Sequence, residues 1–401
     1  MQQEMLSELR ESLMGDPAMR QRLGACEDKS AAAHLLLGTY NCCSPETLVT
    51  ALEPVIREPG MPLPDLVLQD IPPADFLPVG VILLRGELAI EWLWLGMDGL
   101  QEPFYYRSTE RADLLPVNAL LRCATPLAAL DRFASAPPPD GLIFHMSRCG
   151  STLVSQMLAA SPHHVVVSEA PFFDNVVQLA SAGAVPEYLV NAAAAALLRY
   201  REGTNRRGFI KVDPLHSLAL PMLRRLFPQT PWVFLYRDPA EVLVSQRRLP
   251  GLHVQQGFHP LDSLGVLGGD QVERDAYPAW VTEHICRAAL VERGDPNGLF
   301  VNYACLPQAV TTAILPHFRI SPDDAMLSAM GHAAGQNAKA PENAFVGDTD
   351  EKQAEAVATL RVPDSLNHAY AQLEQAAEEG HGSAQNTPIG PQASVSVVFD
   401  W

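Results

Sequence analysis

Positive charge is scarce in this 401-residue chain. Lys and Arg number 28 against 46 Asp and Glu, for a net charge of −18. That balance argues against a nucleic-acid partner, which is gripped through a broad basic face. Metal-ligand spacing is missing as well. The 7 cysteines form no CxxC pair and no Cys/His group with the intervals of a zinc site. No metal is expected, and the odd number of thiols reads as reduced cysteine in a cytoplasmic protein. Long apolar runs are also lacking. No stretch reaches the roughly 18 apolar residues of a membrane span, and the Ala-rich run Asn191–Leu198 is far too short. The first twenty residues are polar and amphipathic, without the apolar core of a secretory signal.

What is present describes a globular protein. Hydrophobic residues make up 47% of the chain and charged residues 18%, enough to bury a substantial core. The charge is unevenly placed. From Gly141 to Pro250 the chain carries 11 Lys and Arg against 7 Asp and Glu. A locally basic stretch in an acidic protein suits a small anionic ligand.

Four regions follow from the pattern. Residues 1–57 read as short helices, with Met5, Leu6, Leu9 and Leu13 at helical spacing and Ser44 as an N-cap. A docking or dimerisation module, with the chain as a homodimer, is the plain reading of that region. Residues 58–133 follow a proline-rich break and are predicted to be β-rich: Val79–Ser108 is dense in β-branched and aromatic residues. Trp92, Trp94, Phe104, Tyr105 and Tyr106 there are either core or the lining of an acceptor site. Residues 141–380 form the main domain, and 381–401 a tail ending in a short β-prone patch. Within the main domain, short apolar strands alternate with helices: GLIFHM, HVVVSE, GFIKVD, WVFLYR and GLFVNY are strands, while STLVSQMLAAS, LHSLALPMLRRLF and PAEVLVSQRRL are helices. The fold class is therefore α/β, a parallel sheet with flanking helices, plus a helical N-terminal segment and a small β-rich region. Such sheets bind ligands at the carboxyl ends of their strands.

The strongest motif is Ile143–Leu158, a strand, a tight loop of small residues and a helix. Gly150 permits a sharp turn and close backbone approach. Ser151 and Thr152 open the helix, where free N–H groups and the helix dipole attract an anion. Arg148 adds a forked cation. Gly150, not Lys, precedes Ser151, so this is no Walker A loop.

Ser147-Arg148-Cys149-Gly150-Ser151-Thr152 resembles the phosphosulfate-binding loop of sulfotransferases that use 3′-phosphoadenosine 5′-phosphosulfate (PAPS). The likeness is greatest to the tyrosylprotein sulfotransferases and bacterial relatives, whose loop carries Arg. Cys149 departs from the serine usual there. Glu169, 21 residues after Arg148, stands where the family has its candidate general base. Lys211 in FIKVDP resembles the family's K-D-P, with Val212 inserted, and by that resemblance stabilises the leaving group. Arg237 and Ser245, eight residues apart in LYRDPAEVLVSQ, match the pair that holds the 3′-phosphate. Tyr303 sits in a segment similar to a later family strand, structural or near the nucleotide, and the loop around Lys339 is a candidate cover over it. The resemblance spans about Gly141–Phe318. It implies a P-loop-like sulfotransferase fold, PAPS as co-substrate without a metal, and a hydroxyl-bearing small molecule, carbohydrate or peptide as acceptor. A kinase-like phosphoryl transferase and a non-catalytic nucleotide-binding scaffold are the alternatives. His253 and His259 read as solvated loop histidines.

Overall fold

The computed structural model describes all residues except 1, 41–43, 54–63, 65, 97–99, 101, 200–203, 259–260, 345–348 and 385–401. Four short helices open the chain: α1 (Gln2–Gly15), α2 (Pro17–Gly24), α3 (Lys29–Thr39) and α4 (Pro45–Ala51). Asp16, Asp28 and Ser44 cap α2, α3 and α4 by accepting from backbone N–H groups of the first turn. A four-stranded sheet follows, β1 (Leu66–Val67), β2 (Phe76–Leu84), β3 (Glu87–Trp94) and β4 (Cys123–Pro126), in the order β1-β4-β3-β2. Helices α5 (Tyr105–Asp113) and α6 (Pro116–Leu121) lie between β3 and β4.

Helix α5 corrects one expectation. The aromatic run to Ser108 reads as strand, yet the chain turns helical at Tyr105. Tyr105, Ser108 and Ala112 are its buried residues, a helical spacing that outweighs the β preference of the aromatics. Buried arginines hold these layers together. Arg20 makes paired 2.8 Å bonds to Asp75 and also reaches the carbonyls of Leu13 and Met14. Arg199, at the end of α9 (Tyr188–Leu197), donates to the carbonyls of Pro72 and Phe76 and lies over the rings of Trp92 and Phe133.

The main domain is built on β5 (Gly141–His145), β6 (His164–Ser168), β7 (Arg207–Lys211), β8 (Trp232–Tyr236) and β9 (Gly298–Asn302). All neighbouring pairs are parallel and the order is β6-β7-β5-β8-β9. Every residue of β5, β6 and β8 is buried, which explains their unbroken apolar sequences. Helices α7 (Ser151–Ala159), α8 (Pro171–Ser181), α9, α10 (Leu220–Leu226), α11 (Pro239–Arg248) and α12 (Tyr277–Val291) connect the strands. The predicted helix LHSLALPMLRRLF is divided: Pro214–Ala219 is 3₁₀, and α10 begins only at Leu220. Pro221 occupies its first turn, where a missing N–H costs nothing.

Beyond β9 come a π-helical turn at Val310–Ile314, α13 (Leu315–His317), α14 (Asp324–Ala334), a hairpin of β10 (Gln336–Asn337) and β11 (Ala340–Ala344), α15 (Thr349–Thr359) and α16 (Asp364–Ala384). Residues 381–384 thus continue a helix, and the β-prone patch expected further on lies outside the described residues. Among the described residues no helix is long and apolar enough to cross a membrane, five cysteines are free thiols, and no cluster of potential metal ligands occurs.

Candidate active site

The carboxyl ends of β5, β6, β7 and β8 converge on a cavity of about 980 Å³. That is near the upper end of the roughly 300–1,000 Å³ usual for ligand sites. Its lining includes every site residue expected from sequence except Lys211, which is fully buried and touches two of the lining residues, Glu169 and Thr152.

The loop from Ser147 to Gly150 is shaped by its backbone. Ser147 (φ 72°), Arg148 (φ 53°) and Gly150 (φ 79°) all lie in the left-handed region. At Gly150 a Cβ would meet Leu306 Cδ1 at 2.7 Å and Tyr303 Cδ2 at 2.9 Å, so only glycine fits. No side chain caps α7, which leaves its first N–H groups open to an anion. Cys149 points the other way. Its thiol donates to the Leu235 carbonyl at 3.1 Å, and burial pushes it up to about 12. The residue that departs from the family pattern is an anchor of the loop on β8.

Beneath the loop sits a charged triplet. Lys211 Nζ lies 2.9 Å from Glu169 Oε1 and 3.4 Å from Thr152 Oγ1. His145 Nε2 is 3.4 Å from the same Glu169 oxygen and 3.0 Å from the Val212 carbonyl. The Ser147 N–H donates to His145 Nδ1 at 3.2 Å, so Nε2 carries the ring proton. Burial lowers the His145 pKa, and the ring is neutral. Burial alone would raise the Glu169 carboxyl, but Lys211 and His145 together hold it well below the usual carboxylate range. Glu169 itself has φ 52°, a strained position for a non-glycine residue and one found preferentially at functional sites. The Lys211 ammonium also faces the Phe104 ring, 4.8 Å from its centroid, so the accessory region enters the site.

At the other end, Arg237 is buried. Its Nε donates to Glu241 at 2.6 Å and its guanidinium stacks 4.0 Å from the Tyr303 ring centroid. Glu241 also accepts from Gln353 at 2.9 Å. Arg148 Nη2 donates to the carbonyls of Ser245 and Leu249 at 3.3 and 2.9 Å. This joins the two halves of the predicted clamp, with the Arg148 guanidinium committed to the last turn of α11. Lys352 of α15, which the sequence did not single out, adds a buried cation to the lining. The tip of the β10–β11 hairpin does reach the cavity. Desolvation, with Arg148 and Lys211 nearby, pushes the Lys339 ammonium down to about 8, and Arg107 of α5 donates to its carbonyl at 2.9 Å.

Of the five aromatics singled out in the accessory region, Trp92, Trp94 and Tyr105 are core, whereas Phe104 and Tyr106 line the cavity. His253 is a correction. It is buried, and Gln246 lies between it and the loop, 3.2 Å from His253 Nε2 and 3.2 Å from Ser147 Oγ. Its loop is tied to α11 by Gln246, which also accepts from the Gly251 N–H at 2.9 Å. His259 lies outside the described residues. Sequence reasoning missed His145, Asp174 and His216. His145 had a signal, a polar residue closing an apolar strand just before the anion loop.

Residues 142–277, about a third of the chain, match the model of a sulfotransferase family. Among solved structures, the sulfotransferase domain of the curacin biosynthetic pathway is 15% identical, covering 60% of this chain and 99% of that one at a TM-score of 0.38. The sulfotransferase domain of the Synechococcus PCC 7002 olefin synthase is 20% identical, covering 63% and 96% at 0.35. A mouse sulfotransferase complexed with 3′-phosphoadenosine 5′-phosphate (PAP) is 15% identical, covering 65% and 90% at 0.32. No curated protein sequence matches the chain.

Proposed function

Taking the sulfotransferase segment at residues 142–277 as the premise, we propose that the chain transfers the sulfuryl group of PAPS to an acceptor hydroxyl. One observation carries this reading: the uncapped N-terminus of α7 and the Glu169 carboxylate line one cavity, with the buried Lys211 directly behind them, 2.9 Å from Glu169. The open N–H groups of Ser151 and Thr152, with the turn at Gly150, receive the 5′-phosphosulfate. Arg237 and Ser245 take the 3′-phosphate, with Lys352 on the same lining. Arg148 fixes α11 against the loop and adds positive charge to the donor end.

Transfer forms one bond and breaks another. Glu169 removes the proton of the acceptor hydroxyl as its oxygen attacks sulfur. The bond from sulfur to the 5′-phosphate oxygen breaks, and its electron pair stays on that oxygen. Lys211 neutralises the charge that grows there, an interaction stronger in the transition state than before it. The 2.9 Å contact between Lys211 and Glu169 links the two roles. When Lys211 turns to the leaving group, Glu169 loses its nearest cation and becomes a stronger base. His145 stays neutral and keeps the carboxylate oriented.

The test is incubation of the purified protein with ³⁵S-labelled PAPS and pooled metabolite extracts, followed by mass spectrometry. A labelled, sulfated product is expected. Full turnover by Glu169→Ala, within a few-fold of the parent, removes Glu169 as base.

A further inference from the structure

Away from the anion loop, the cavity has a second polar wall. Asp174 and Gln178 lie one turn apart on α8, and Asp213 and His216 bracket the start of the 3₁₀ turn that follows β7. His216 is only 1% exposed, yet it forms part of this wall. Its Nδ1 lies 3.0 Å from Asp174 Oδ1. That contact fixes the ring, and the buried Nε2 is left with no hydrogen-bond partner. A buried polar group without a partner is costly and calls for an explanation. Phe104 and Tyr106 stack on each other at the rim, with centroids 5.6 Å apart.

We propose that this wall is the acceptor subsite, and that His216, positioned by Asp174, binds a second hydroxyl of a neutral, polyhydroxylated acceptor such as a glycoside or cyclic polyol. The proposal rests on the sulfuryl-transfer reading for the word acceptor, though the binding site stands on the geometry alone. A hydroxyl both accepts and donates. It takes the free N–H of His216 and returns its own proton to Asp174 or Asp213. An ammonium group only donates, which leaves the imidazole N–H unanswered. A carboxylate or phosphate meets Asp174 and Glu169 with like charge. Charge is finely held here. Burial, then Asp174 and Glu169, push Asp213 up to about 7, while Asp174 and Asp213 outweigh burial and raise His216. A ligand that is neutral and two-sided fits that balance. The stacked Phe104 and Tyr106 rings offer an apolar face to the C–H side of a sugar-like ring.

Saturation-transfer NMR on the full chain tests this, using cis-1,2-cyclohexanediol and methyl β-glucopyranoside against cyclohexanol and cyclohexylammonium, with and without PAP. The diol and the glycoside are expected to bind at least about tenfold more tightly than cyclohexanol, a difference of about 1.4 kcal/mol. His216→Ala and Asp174→Asn should reduce the diol to the level of cyclohexanol, and His216→Gln, which keeps a donor, should restore part of the preference. In turnover with PAPS the loss should fall on the KM for the diol rather than on kcat. Equal binding of diol and cyclohexanol by the parent protein, a preference for the ammonium compound, or a diol preference that survives both variants overturns the subsite. If PAP fails to stabilise the protein while the diol preference holds and falls in the variants, the nucleotide reading fails and the subsite stands.

Discussion

The proposed donor wall of the cavity comes from the ends of four adjacent parallel strands, and the opposite wall from a helix, a 3₁₀ turn and an aromatic rim supplied by the accessory region. On the donor wall, position is set by backbone. Gly150 has no room for a Cβ, Ser147, Arg148 and Glu169 hold left-handed conformations, and Cys149 pins the loop to β8. On the opposite wall, position is set by side chains from segments distant in sequence. The first kind of site demands particular residues at fixed spacing. The second demands only that something polar arrive at the right place.

The largest effect should come from Lys211. Lys211→Ala removes the charge beside the leaving group, and kcat should fall by about 10²–10³, the scale for one transition-state electrostatic partner. PAP affinity should change far less, as isothermal titration can establish. A comparable loss in PAP affinity would move Lys211 from chemistry to binding. Gly150→Ala comes next. The added methyl group clashes with Leu306 and Tyr303 in a strained backbone, so PAP binding should weaken more than tenfold and stability should drop by about 1–3 kcal/mol, both visible in melting curves with and without PAP.

A smaller effect, of opposite sign, is expected at Glu241. Its carboxylate holds Arg237, the residue proposed for the 3′-phosphate, so Glu241→Gln should tighten PAP several-fold while lowering the melting temperature of the free protein. Weaker PAP binding in this variant would detach Arg237 from the nucleotide. A further effect concerns pH. Asp213 titrates near 7 in the folded chain, above its range when unfolded at about 3.9. Between these values the folded state binds more protons, so stability declines as pH rises from about 4 to 7. The raised pKa of His216 acts in the same direction. The depressed Glu169 acts oppositely, costing stability only as pH falls through the acid range. Asp213→Asn should flatten the neutral part of the profile in urea titrations at stepped pH.

The same contrast governs what could be read from sequence. The five core strands were legible as short, mainly apolar runs, fully buried in β5, β6 and β8 and buried along their middle in β7 and β9. The residues that the resemblance singled out lie at helix starts, turns and strand ends, and all but the buried Lys211 line one cavity. Phe104 was ambiguous: Trp92 and Tyr105 have the same aromatic character and are core, and nothing local separates them. Asp174 and His216 lie 42 positions apart and meet only through the packing of α8 on the 3₁₀ turn, contacts without a local signature. His253 looked solvated because its loop carries turn residues, and only tertiary folding brings it against Gln246. The pairing of Arg237 with Glu241 was in plain view as an i,i+4 pair, yet its burial was not.

The donor wall is proposed to be a PAP-type nucleotide site next to a sulfuryl-transfer centre. Its most direct test is the melting temperature of the full chain with PAP and with ATP. At 100 times its dissociation constant a ligand stabilises by about 2.7 kcal/mol. PAP should therefore raise the melting temperature by several degrees, with Arg237→Ala abolishing the shift and ATP producing little. A shift with ATP and none with PAP contradicts the account.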